Sequence, residues 1–211
     1  MFLSTKVPTM KLRLVSVAML ATLSLAACGG DDTSDSTANT PASAGGATTA
    51  APIASAEFND ADVMFAQGMV PHHEQAIEMA DIALDPSIGA GPEVIDLATR
   101  IKAGQDPEIQ QMTGWLESWG QPMQMDTSDG HDMAGMDGMM SVEEMDELGT
   151  MNGPNFDRMW MEMMIRHHEG AIEMADTVKA DGSNADVRTL ADAIIGAQQA
   201  EIAEMQALLG S

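Results

Sequence analysis

The stretch His72-His73-Glu74-Gln75-Ala76-Ile77-Glu78-Met79-Ala80-Asp81 recurs as His167-His168-Glu169-Gly170-Ala171-Ile172-Glu173-Met174-Ala175-Asp176. The copies lie 95 residues apart, differ at one position and hold four of the chain's five histidines. A match this close marks an internal duplication. Around each copy the apolar residues recur with helical spacing. At about 100° per residue, Phe65, Met69, His72, Ala76, Met79, Ala80 and Ala83 share one stripe, with Glu74, Glu78 and Asp81 opposite. His73 lies at the edge of the stripe, so both histidines lean inward. In the second copy Asp157 corresponds to Asp62, Trp160 to Phe65, Met164 to Met69 and Met174 to Met79.

Working outward, the first helix is expected over residues 59–84, with a kink where Pro71 removes a backbone donor. Asp85-Pro86 and Gly89-Ala90-Gly91-Pro92 end it. A second helix follows over 93–119, carrying Ile101, Gln105, Ile109, Met112 and Leu116 on one face, and Gly120-Gln121-Pro122 stops it. The third helix, 155–180, repeats the first. The fourth, 184–209, repeats the second, so that Gln198 matches Gln105, Glu201 matches Glu108, Ile202 matches Ile109 and Met205 matches Met112. Ser141-Val142-Glu143-Glu144 has the form of a capping box, opening a short helix that stops near Gly149. A hairpin with one apolar stripe cannot cover that stripe alone. Two such hairpins make an all-α four-helix bundle over residues 57–210.

The chain starts differently. Lys6, Lys11 and Arg13 precede an apolar run, Leu14–Leu25, which is too short and too early for a transmembrane helix. Leu25-Ala26-Ala27-Cys28-Gly29 resembles a bacterial lipoprotein signal, which implies cleavage after residue 27 and lipidation of Cys28. An ordinary secretory signal with an incidental cysteine is the alternative. Either one places the mature protein outside the cytoplasm, and the lipidated form is anchored to the bacterial cell membrane. Cys28 is the only cysteine, so no internal disulfide forms. Residues 28–56, rich in Ser, Thr, Ala and Gly, read as a disordered tether. Loss of residues 1–27 removes three basic residues and no acids, taking the formal charge from −24 to −27. Such a surface repels nucleic acid and anionic lipid and favours cations.

Methionine supplies 21 of 211 residues, against three Trp, four Phe and no Tyr. Methionine in a helix ordinarily fills a core. Residues 121–140, however, form a Gly- and Asp-rich loop with no core to fill. Its His131, Met133, Met136, Met139 and Met140 read as capture ligands for a soft ion.

The inward histidines, flanked by Met69, Met79, Met164 and Met174, bring imidazole and thioether donors towards the bundle centre. Asp62 and Asp157 are expected to serve as ligands or to orient the rings, fixing which ring nitrogen is free. Thioether sulfur selects Cu(I), and imidazole accepts copper in either oxidation state. Zinc's His-Glu-x-x-His is absent, and no Glu stands three residues before any histidine, as di-iron bundles require. Copper, as Cu(I) or Cu(II), is therefore the expected ion, held by His72, His73, His167 and His168 with the four methionines. The competing reading is a structural hydrogen-bond layer copied with the repeat.

Met69-Val70-Pro71-His72-His73, with Ala76-Ile77-Glu78-Met79-Ala80, resembles the "domain of unknown function 305" family, as does Gln198-x-x-Glu201-Ile202-x-x-Met205 in the second helix type. The resemblance covers about residues 57–210 in two copies. It implies a ferritin-like four-helix fold in secreted or membrane-anchored bacterial proteins, some of them associated with copper binding and tolerance. Arg166 departs from the Pro that usually precedes the histidine pair.

The expected function is a lipid-anchored extracytoplasmic protein that binds copper for buffering, tolerance or transfer. It is not expected to be an enzyme, because no nucleophile, substrate pocket or second cofactor motif is visible. A copper-handling partner protein and a homo-oligomer are both compatible with this reading. The alternative is a cell-envelope interaction module whose histidines are structural. Ligand imidazoles must be neutral, so metal binding is expected to weaken below about pH 6.

Overall fold

The computed structural model describes residues 57–125 and 137–210. The signal peptide, Cys28, the tether and the loop residues His131, Met133 and Met136 lie outside them. Among the described residues every regular element is a helix: α1 (Asp60–Leu84), α2 (Pro92–Trp119), α3 (Val142–Thr150), α4 (Gly153–Asp181) and α5 (Ala185–Leu209). None is long and apolar enough to cross a membrane.

The helix ends follow from local chemistry. Asn59 caps α1 in a reciprocal box: its side chain accepts from the Asp62 amide, and the Asp62 carboxylate accepts from the Asn59 amide. Ser141 and Glu144 do the same for α3. Each box satisfies two donors that a helix start leaves unpaired. Pro92 occupies the first turn of α2, where no amide is needed. The α2 cap is Gly120 in the left-handed region, at φ 67°, a conformation cheap only without a Cβ. α1 continues as one helix through Pro71, and α2 as one through Pro107.

α1 packs on α2 and α4 on α5, and the two hairpins meet through α1 against α4. α1 and α4 run antiparallel, since Asn59 at the start of α1 donates to the Asp181 carbonyl at the end of α4, at 2.8 Å. The apolar core is divided in two. One cluster holds Met79, Leu97, Ile101, Phe156, Trp160, Met164 and Met205, and α3 covers it with Leu148. The other holds Phe65, Met69, Met112, Leu116, Val178 and Ile194. The Trp160 ring is fully buried and donates its indole N–H to the Met79 carbonyl at 2.9 Å, which meets the requirement that a buried indole find an acceptor. The histidines of α1 and α4 lie at the midpoints of their helices, between the halves of the core.

Candidate metal centre

Duplication explains how a polar layer comes to sit inside an apolar bundle. His72 and His73 on α1, and His167 and His168 on α4, all have no solvent exposure. The His72 and His167 rings are in contact, with centroids 3.8 Å apart and planes at 40°. The outer ring of each pair turns to the second helix of its own hairpin. His73 Nε2 lies 2.7 Å from Glu108 Oε2 on α2, and His168 Nε2 lies 2.7 Å from Glu201 Oε2 on α5. One turn before each glutamate stands a buried glutamine, Gln105 or Gln198.

These contacts set the tautomers. A neutral imidazole facing a carboxylate must carry its hydrogen on the nitrogen that donates. His73 and His168 thus hold hydrogen on Nε2. His72 does too, because its Nε2 donates to the Asp137 carbonyl at 3.3 Å. The Nδ1 atoms of all four rings have no hydrogen-bond partner, nor do His167 Nε2 and both side-chain polar atoms of Gln105 and Gln198. Nine buried polar atoms without partners in one repeated layer is a large departure from the rule that buried polar groups are paired. Lone pairs on buried Nδ1 atoms are the form in which imidazole binds a metal.

The layer therefore fits a soft or borderline ion, with Met69 and Met164 one turn before the first histidine of each copy. Both methionines are fully buried, on opposite sides of the layer. The four rings do not form one cage. Among the described residues no three His, Cys, Asp or Glu side chains converge on a single point. Imidazole and thioether donors in low number suit Cu(I), which tolerates two or three ligands, better than a hard ion that needs many oxygens.

Three expectations require correction. Met140, expected as a capture ligand in a loop with no core to fill, is buried in the cluster that α3 covers. Asp62 and Asp157 do not turn towards the imidazoles. The buried Asp62 carboxylate accepts from the Ser183 amide and hydroxyl and from the Asn184 amide, so it ties the start of α1 to the α4–α5 turn. Asp157 accepts from the Gly91 amide at 2.9 Å, tying α4 to the α1–α2 turn. The carboxylates beside the rings are Glu108 and Glu201 instead. A signal for them was present, since Gln-x-x-Glu recurs at matching places in α2 and α5. Among the flanking methionines, Met79 is buried beside Trp160, while Met174 is only half-buried and lines a surface cavity.

The end of the methionine-rich loop closes over one side of the layer. The amide and carbonyl of Met140 pair with the Gln75 side chain at 2.7 and 2.9 Å. Arg166, which stands where the first copy has Pro71, reaches Glu144 and the Met140 sulfur. Asp137 and Gly138 pass directly over Gly170: a Cβ there would lie 2.0 Å from the Asp137 carbonyl oxygen. Gly138 itself sits at φ 83°. The one position at which the two ten-residue copies differ, Gln75 against Gly170, is therefore where this segment docks on both helices.

Burial, reinforced by the adjacent His73, lowers the His72 pKa to about 3. Burial, followed by the neighbouring His72, also holds His167 well below the usual 6.5. In the unfolded chain these rings take up protons near pH 6.5; in the folded protein they do not. Stability is fully present above pH 6.5 and is lost as pH falls from there towards the folded values, by about 1.4 kcal/mol per pH unit per ring. The melting temperature should therefore fall between pH 6.5 and 4. It should fall less steeply in a His72→Gln/His167→Gln variant, and equal slopes would contradict this account.

The comparisons with known proteins place the fold. A family model described as domain of unknown function (DUF305) matches residues 62–209. A DUF305 protein from Streptomyces coelicolor that carries a secreted-protein designation is 33% identical. The match has a TM-score of 0.65 and covers 71% of this chain and 91% of that one. A DUF305 fragment from Deinococcus radiodurans is 34% identical, with a TM-score of 0.64, covering 72% and 97%. CopM in a Cu(II)-bound form is 35% identical, with a TM-score of 0.59, covering 71% and 95%; CopM is also matched in Cu(I)-bound and silver-bound forms. No curated protein matches the chain.

Proposed function

The chain belongs to the DUF305 family, and from that premise we propose that it is an extracytoplasmic copper-binding protein that buffers copper or hands it on. One observation carries the reading: four buried imidazoles present Nδ1 atoms that no protein group uses. The copper- and silver-bound forms of CopM, at about a third identity, support it. In this proposal His72 and His167, in mutual contact, are the principal ligands, with Met69 and Met164 as the nearest soft donors. His73 and His168, oriented by Glu108 and Glu201, complete the layer. Lipidation at Cys28 would hold the domain at the membrane, and the acidic surface would gather cations around it.

The lowered proton affinity of His72 and His167 changes the expected pH response. A ring that stays neutral to about pH 3 does not exchange metal for a proton at pH 6, so binding should persist well below pH 6.

The test is a Cu(I) competition titration of the mature protein beside its His72→Ala/His167→Ala variant. Wild type should bind more tightly than about 1 μM, and the variant should lose at least one equivalent. Weaker binding, or equal stoichiometry in the two, would favour the interaction module with structural histidines, for which the His73–Glu108 and His168–Glu201 pairs are the supporting observation.

A further inference from the structure

We propose that Met64, Met125 and Met174, together with Asp181, form a second site for a soft monovalent cation, Cu(I) or Ag(I), on the surface and separate from the histidine layer. They line one cavity of about 310 Å³ at the end of the bundle where α1 begins and α4 ends. The three thioethers come from three segments distant in sequence: α1, the chain just after α2, and α4. Met64 is 58% exposed on a strongly acidic chain and contributes nothing to the core. Met174 is half-buried against the apolar cluster below it. Three methionine side chains lining one water-accessible mouth are unusual as surface, and Met64 in particular exposes apolar area without filling a void. They are well suited to an ion that prefers sulfur. The Asp181 carboxylate supplies the negative charge that neutral thioethers lack.

The arrangement is not simply copied with the repeat. The counterpart of Met64 is Met159, which packs against the cluster that α3 covers. The long connection between the hairpins thus fills one face with α3 and leaves the other lined by Met125. This inference rests on the copper reading of the chain, but it places an ion at a different point.

The experiment uses the full mature protein with methyl-¹³C methionine, titrated with Ag(I) and followed by NMR, the resonances being assigned with Met64→Leu, Met125→Leu and Met174→Leu. The three ε-methyl signals should shift together, and should still do so in the His72→Ala/His167→Ala background. The triple leucine variant should bind one equivalent of Ag(I) fewer, with an unchanged far-ultraviolet circular dichroism spectrum. Unshifted signals from these three methyls, or full Ag(I) stoichiometry in the triple variant, would overturn the site. Failure of wild type to bind Ag(I) or Cu(I) at all would sink the copper reading itself, a distinguishable result. Should the triple variant misfold, the wild-type methyl shifts decide the question.

Discussion

Gly170→Gln, which makes the two copies of the motif identical, is expected to prise the 137–140 segment off α4. Glycine in a helix interior normally costs about 1 kcal/mol relative to a good helix former, so on propensity alone the substitution would raise stability. The structure requires the opposite sign. A Cβ at position 170 would lie 2.0 Å from the Asp137 carbonyl oxygen and 2.8 Å from Gly138 Cα, and both are backbone atoms, which cannot swing aside as the end of a side chain can. Overpacking of this kind costs about 1–3 kcal/mol, at times more. The net result should be a lower melting temperature, faster proteolysis within 121–140 and faster amide exchange at Met140, whose amide now bonds Gln75. His72 would also lose the carbonyl that fixes its tautomer. A melting temperature equal to or above wild type would show that the contact with Gly170 does not hold the segment.

Asp62→Ala should be the most destabilising single change at the hairpin junction. The carboxylate is fully buried and accepts from the Asn59, Ser183 and Asn184 amides and from the Ser183 hydroxyl. Hydrogen bonds to a charged acceptor contribute about 1.5–3 kcal/mol each, and donors left buried without a partner add their own cost. These terms overlap, and a total of about 3–5 kcal/mol is expected in urea unfolding. Asp62→Asn keeps one acceptor oxygen and should lose less. Metal stoichiometry should be unchanged in either variant wherever it remains folded. A loss of bound copper without a loss of stability would return Asp62 to the neighbourhood of the histidines.

The misplacement of Asp62 shows where the sequence stopped being informative. Helical phase put Asp62 on the inward face, and it is inward. Phase says nothing of height, and ten residues of helix separate it from His72 by about 15 Å. The helix limits were legible because Asn59, Ser141, Asn184, Pro92 and Gly120 each carry a specific end chemistry. That the mid-helix histidines would share a level was legible too, since it holds for either direction of packing. The antiparallel direction was not, because the connection between hairpins is long enough for both. It is this direction that separates Met69 from Met164 across the layer. Glu108 and Glu201 were missed because their roles depend on contact with another helix, although their repetition was on view.

The segment clasped between Gln75 and Gly170 has a kinetic consequence. An ion leaving through that side of the layer would depart no faster than the clasp releases, whatever its equilibrium affinity. Residence time and tightness would then be set by different residues: the first by a glutamine and a glycine that donate nothing to the metal, the second by the imidazoles below.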